Sequence, residues 1–296
     1  MSLAGIRIAV VGGDEREQEI ARLAAVEGAD VTAYGFPWPE GGIDGTTLAG
    51  SAAEAIRGAR YALFPIPGIA ADGSLFAPSA PEPIVPDAAL LRGLAPGAHV
   101  ILGAADERLR SAAAATGLTL HEYEHDEELM LERGPAIVEG ALQQAIANTR
   151  VTIHGSPVTV VGHGTIGGLL ARTLVLLGAQ VTVVARNPVQ RAAARAAGAD
   201  AVPLEELRAV AAHVAMLFST VPAAVVGRDA LAGMARGSLV MDLAAPPGGI
   251  DLDAARELGL VAVWARGLGR RAPVTVGASQ WDGIRRRIQA IEEGRE

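Results

Sequence analysis

Twice along the chain, short β-branched runs alternate with Ala-, Leu-, Arg- and Glu-rich stretches of helical character. Each half opens on a strand that runs directly into a glycine turn. The pattern predicts an α/β protein: two doubly wound parallel-sheet domains, joined by long helices around a cleft. The length of 296 residues suits two domains, at about 100–200 residues each.

In the first half, strands are expected at Arg7–Val11, Asp30–Ala33, Tyr61–Phe64, His99–Leu102 and Leu118–His121. Helices fit between them at Glu15–Glu27, Ser51–Arg57, Pro86–Arg92 and Glu107–Ala115. The second half restarts with strands at Val158–Val161, Gln180–Val184, Val214–Phe218, Leu239–Leu243 and Val261–Val263. Between the halves, Gly134–Thr149 lacks the Ser/Gly composition of a flexible linker and reads as a rigid connecting helix. The last segment carries Trp281, Ile284, Ile288 and Ile291 at helical spacing, so it is expected to return to the first domain. The expected boundaries are therefore 1–134 for the first domain, 135–150 for the connector and 151–278 for the second domain, with a final helix over 279–296.

Composition narrows the functions available. The chain is 50% hydrophobic but only 3% aromatic, which gives a core of small and branched aliphatic side chains. A formal net charge of −8 argues against a nucleic-acid binder. Cysteine is absent, which excludes disulfides, thiolate metal sites and cysteine nucleophiles. Lysine is absent too, so neither a Schiff base nor a Walker-type phosphate lysine can form. The run His121–Glu128 holds two histidines and five carboxylates, but no partner cluster exists elsewhere, and it reads as a solvated face rather than a metal site. The opening MSLAGIRIAVVGGDE reads as a first strand rather than a signal peptide, and no membrane span is expected. These features suggest a soluble cytoplasmic protein.

The two glycine turns differ. The second carries Gly162, Gly164 and Gly167 in G-x-G-x-x-G, after one strand and ahead of a helix and a second strand. That context makes it a dinucleotide fingerprint: the glycines permit a tight turn, close approach to a pyrophosphate and close helix–strand packing. His163, Thr165 and Ile166 complete the turn, and His163 is expected to face phosphate. The first turn, Gly12-Gly13-Asp14-Glu15-Arg16-Glu17, lacks the third glycine and sets three carboxylates where a diphosphate would lie. Asp14 reads as an N-cap, and this domain is left for substrate. Both domains are thus expected to be Rossmann-like, the first also flavodoxin-like. About 20 residues beyond the second turn, an NAD site usually places an acidic residue on the ribose. Here stand Arg186 and Asn187, with Arg191 and Arg195 on the next helix, which favours NADP. A solvated Arg186 is the alternative.

These residues resemble the dipicolinate synthase A-subunit family, an NADP-dependent oxidoreductase family of endospore formers. The resemblance is carried by Ile8–Ile20, Pro135–Arg186, Ser219–Val226, Met241–Ala255 and the glycines and proline of Gly267–Gly277. It is most specific in Thr152–Ser156 and in the Asp-Leu-Ala…Pro-Gly-Gly-x-Asp block. The chain departs from the family in having Ala136 after the connector proline, and in Arg266-Gly-Leu-Gly-Arg270, which gains two cations. The resemblance implies oxidation of a dihydrodipicolinate-type compound to pyridine-2,6-dicarboxylate during sporulation. It also implies partnership with a flavoprotein-like B subunit.

Such chemistry asks the chain to hold a dianion against a nicotinamide and to accept a proton. Without lysine, the carboxylates call for Arg266, Arg270 and Arg271 after the last strand, or for backbone amides at Gly248 and Gly249. The alternative is an ordinary solvated loop. Thr220, Val221 and Pro222 are expected to edge the nicotinamide ribose, and Asp242, Leu243 and Ala244 its ring. His154 and Glu139 are the candidate proton acceptors, against readings as a hinge histidine and a surface glutamate. Two other functions are the alternatives, although the absence of any histidine after His213 counts against a hydroxyacid dehydrogenase. One is a non-catalytic NADP-binding regulatory subunit; the other is an enzyme like the D-2-hydroxyacid or alanine dehydrogenases. The apolar connecting segments lead to the expectation of a homo-oligomer.

Overall fold

Four of the five residues of β1 (Arg7–Val11) are buried, as a parallel strand covered on both faces requires. The computed structural model describes residues 2–294 and gathers them into two units. The first comprises the residues up to Glu132 and those from Ala272 onward; the second is Arg133–Arg271.

In the first unit, β1 is followed by α1 (Glu15–Val26), β2 (Asp30–Tyr34), β3 (Thr46–Leu48), α2 (Ala52–Ala55) and β4 (Tyr61–Leu63). Then come α3 (Ala88–Leu91), β5 (His99–Leu102), α4 (Glu107–Thr116) and β6 (Thr119–Glu122). The strands form one parallel sheet in the order β3-β2-β1-β4-β5-β6. Ile8, Val10, Tyr61, Leu63 and Ile101 pack on one face with Ile20 and Ala24 of α1. Ala9, Val11, Val100 and Leu102 pack on the other with Leu91 and Leu109.

The helix α5 (Glu127–Asn148) contains the boundary between the units. After it come β7 (Pro157–Val161), α6 (Thr165–Leu176), β8 (Gln180–Val184), α7 (Pro188–Ala196) and β9 (Asp200–Val202). Next are α8 (Leu207–Ala211), β10 (Met216–Ser219), α9 (Arg228–Leu231), β11 (Leu239–Asp242), α10 (Leu252–Glu257) and β12 (Val261–Trp264). Their parallel sheet runs β12-β11-β10-β7-β8-β9. Both units therefore order their strands third, second, first, fourth, fifth, sixth, the doubly wound order of dinucleotide-binding folds. The long α11 (Pro273–Glu292) belongs to the first unit and buries Trp281, Ile284 and Ile288 in its core.

Several elements differ from their expected form. Each sheet has six strands rather than five, because β3 and β9 are three-residue edge strands too short to carry a periodicity signal. The connecting helix starts at Glu127, ahead of the expected Gly134, and passes through Pro135. Asp126 Oδ1 accepts the Leu129 amide at 3.2 Å and so caps the helix a full two turns before the proline. The last helix begins at Pro273, where proline suits the first turn, rather than at 279. Residues 295 and 296 of that expected helix lie outside the described residues. Among the described residues, no helix is long and apolar enough to cross a membrane.

Candidate nucleotide site

At the carboxyl end of β7 the chain turns sharply on Gly162, whose φ of +94° favours glycine. Its amide donates to Val184 O at 2.9 Å, and the Thr220 amide donates to Val161 O at 3.0 Å. The turn is thereby fixed between β8 and the end of β10. Thr220 Oγ1 would lie 2.8 Å from a Cβ at Gly167, and Gly162 O closer still. The third glycine is therefore needed for packing. Gly164 caps α6 without a side-chain bond, and among the described residues no atom beyond its own chain neighbours comes within 4 Å of the place its Cβ would take. The helix thus presents its first amides beside open space, the arrangement that receives a pyrophosphate. This cradle fits a dinucleotide.

The second strand of this βαβ unit ends without a carboxylate. Asn187 caps α7 by accepting the Val189 amide at 2.8 Å, so its carboxamide oxygen is occupied. Arg191 donates to the carbonyls of Ala185 and Arg186, both at 2.7 Å, and Arg195 donates to Ala201 O at 3.1 Å. The Arg186 side chain is exposed and, among the described residues, makes no such bond. His163 behaves differently from its expected role. Among the described residues its buried Nε2 has no hydrogen-bond partner, and its ring lies near Gly168. Burial holds the imidazole below its ordinary pKa, which favours the uncharged ring over a phosphate-binding cation.

Further along the same edge, Asp242 at the end of β11 is 1% exposed. Its carboxylate accepts the amides of Ala244 at 2.9 Å, Gly249 at 2.6 Å and Ile250 at 3.0 Å. The Gly248 amide donates to Ala245 O at 2.9 Å. The amides of Gly248 and Gly249, expected to hold a substrate carboxylate, are thus already taken inside the loop. Asp242 thus shapes the loop with its side chain, while the Leu243 amide donates to Ser219 O at 2.8 Å. The missed signal is an aspartate placed just before Pro246-Pro247-Gly248-Gly249, where a loop needs an internal acceptor.

Beyond β12, the Arg266 guanidinium lies 5.5 Å from the centre of the Trp264 ring. Trp264 Nε1 donates to Ala244 O at 3.0 Å, which ties this platform to the Asp242 loop. Arg270 and Arg271 lie in a 3₁₀ turn over Leu268–Arg271. Arg271 is ion-paired with Glu139 of α5, so each of these two expected site residues has the other as its partner. Val221 packs beside Gly162, and Pro222 follows on the surface.

His154 lies at the wrong end of the sheet. It precedes β7, with its ring against Gly178 before β8, whereas the glycine turn follows β7. Five strand residues at about 3.3 Å each separate the two ends by roughly 17 Å. His154 is therefore corrected to a surface residue of the amino edge.

The first unit's turn is filled by its own chain. Gly13 donates to Phe76 O at 2.6 Å, and the Asp14 amide donates to Glu17 Oε2 at 2.7 Å. The Glu17 carboxyl occupies the space a Cβ at Gly13 would need. Asp14 also receives Arg16 Nε at 2.7 Å and Nη2 at 2.9 Å. Burial is the largest influence on Glu17 and raises its pKa to about 7; Arg16 and the Asp14 amide only partly offset it. A carboxyl group thus sits at this helix N-terminus where the second unit leaves open space.

Comparison with known proteins agrees with this division. Residues 7–124 match the family model for the N-terminal domain of the dipicolinate synthase A subunit. Residues 136–245 match the NAD binding domain of D-isomer specific 2-hydroxyacid dehydrogenases. The dipicolinate synthase A subunit of Bacillus subtilis (strain 168) is 30% identical over 276 residues, covering 93% of each chain. The chain belongs to the dipicolinate synthase A-subunit family. Its structure resembles that of the family member from Bacillus halodurans, with a TM-score of 0.88, 28% identity and coverage of 97% of this chain and 98% of that one. The Bacillus subtilis structure gives a TM-score of 0.87 at 28% identity, covering 99% of both. For this family member, the second unit carries the dehydrogenase-type dinucleotide domain and the first carries the family's own N-terminal domain.

Proposed function

We propose that this chain is an NADP-dependent dehydrogenase that oxidises a dihydrodipicolinate-type cyclic dicarboxylate to pyridine-2,6-dicarboxylate. The observation that carries the cofactor choice is the end of β8. It offers no carboxylate for a ribose 2′-hydroxyl, and it leaves the Arg186 guanidinium without a partner among the described residues, suited to a 2′-phosphate. The substrate class follows from membership of the family and from the name of its Bacillus subtilis relative.

A nicotinamide bound here would take a hydride from the dihydropyridine. The chain's part is to position and to shield. Gly162, Gly164 and the first amides of α6 hold the pyrophosphate, while Thr220, Val221, Pro222 and the Leu243–Ala244 backbone border the ribose and ring. Arg266, held on Trp264, and Arg270 receive the substrate carboxylates. The Arg271–Glu139 pair places a carboxylate on α5 that can take the released proton. Aromatisation drives the step forward, so little acid–base assistance is needed. The family name also supports partnership with a second subunit.

The test is calorimetric titration of the chain with NADP and with NAD, in the native protein and in Arg186→Ala. Binding of NADP that collapses in the variant, while weak NAD binding is unchanged, supports the reading. Equal affinity for the two nucleotides in both proteins refutes the 2′-phosphate role. Formation of NADPH from a dihydrodipicolinate by the chain alone separates an enzyme from a purely regulatory protein.

A further inference from the structure

At the amino ends of the second unit's strands, opposite the glycine turn, lies a cleft of about 520 Å³. Val151, Ala215 and Val261 give it aliphatic walls, while Arg150 and Arg236 bring two guanidiniums to it. Among the described residues, no carboxylate lines it. Among the described residues neither arginine has a hydrogen bond or ion pair, although the chain as a whole carries a formal charge of −8. Arg236 lies against Gly259, its guanidinium carbon 2.9 Å from where a Cβ would stand, so a larger residue would displace it.

The end of α5 reaches the same cleft, and the carbonyls there carry partial negative charge. Two of them are already covered. Asn148 Nδ2 donates to Gln144 O at 2.8 Å, and Thr149 Oγ1 donates to Ala145 O at 2.8 Å. With no partner among the described residues, the guanidiniums of Arg150 and Arg236 are left to act on a ligand.

We infer that this cleft binds a small planar molecule bearing two carboxylates, its ring against the aliphatic walls and its acid groups on Arg150 and Arg236. Guanidinium forks match carboxylates in geometry as well as charge. The volume suits a small-molecule site. The choice of ligand rests on the proposed function, whose product is of this class; the site's chemistry does not. The sheet's strands, at about 3.3 Å per residue, hold the cleft roughly 15 Å from the glycine turn. Occupancy here accordingly leaves the nucleotide site open.

The test is calorimetric titration of the full chain with benzene-1,3-dicarboxylate, with pyridine-2,6-dicarboxylate and with inorganic phosphate. The proteins compared are native, Arg150→Gln, Arg236→Gln and the double variant. Both arginines are exposed, so the variants should keep their fold, and unchanged NADP affinity is the control. The expected result is that the double variant loses one equivalent of either dicarboxylate, with each single variant binding that equivalent at least tenfold more weakly. Three outcomes overturn the inference: no dicarboxylate binding in the native chain, equal equivalents in the native chain and double variant, or phosphate bound as tightly with the same arginine dependence. Failure of NADP to bind would count against the proposed function alone, because this titration needs no nucleotide.

Discussion

A buried carboxyl group, Glu17, fills the first glycine turn where the second is open. Glu17, 3% exposed, occupies the helix N-terminus that the second unit leaves open. Its folded pKa of about 7 lies above the ordinary glutamate value, so the folded state binds this proton more tightly. The resulting stability is fully present below about pH 4.5 and is lost as pH rises through 7. At 1.36 kcal/mol per pKa unit, up to about 3 kcal/mol is involved. In Glu17→Gln, which keeps an oxygen for the Asp14 amide, urea midpoints measured from pH 4.5 to 8 should lose this slope. A slope equal to the native one would show that Glu17 ionises normally. At the other turn, Gly167→Ala must displace both the Gly162 carbonyl and the Thr220 hydroxyl. The expected cost is about 1–3 kcal/mol, with nucleotide affinity falling at least tenfold in a titration. Unchanged affinity would remove the third glycine from the site.

Among the elements, α11 shows what periodicity can and cannot reveal. Trp281, Ile284 and Ile288 were legible from spacing alone and are buried. Gln280, fully buried beside Trp281 in sequence, broke no visible pattern. Trp281 Nε1 also donates to Glu27 Oε1 at 2.9 Å on the turn after α1. Trp281→Ala should therefore destabilise the first unit by about 3–5 kcal/mol in chemical denaturation, and a loss below about 1 kcal/mol would mean α11 is peripheral. Strong β-branched runs made the central strands readable, and the order strand–glycine turn–helix made the nucleotide cradle readable. Other features depend on contacts between residues far apart in sequence. The Asp242 side chain reaches amides up to eight residues away, the Arg271–Glu139 pair joins positions 132 residues apart, and His154 needed the direction of β7 to be placed. A list of residue types contains none of these relations.

For the whole molecule, the repeated strand order means that two similar sheets are asked to do unlike work. Hydrogen exchange with and without NADP should show the difference. Added protection is expected at 162–168, 185–189 and 219–222, with none at 12–17, where the Glu17 carboxyl already fills the turn. Protection of comparable size at both turns would refute the assignment of a single nucleotide site.

The chain leaves the first unit inside α5 and re-enters it at Ala272, so the first unit is built from two separated lengths. On the ribosome, all of Arg133–Arg271 emerges before the segment that supplies Trp281, Ile284 and Ile288. The usual order of synthesis, in which the N-terminal domain is finished first, is therefore reversed. The second unit can close while the nascent first unit still exposes the apolar face that α11 will cover. A stop codon near position 272 would then leave a chain with a finished nucleotide domain and an unfinished partner, marked for chaperones by that uncovered face.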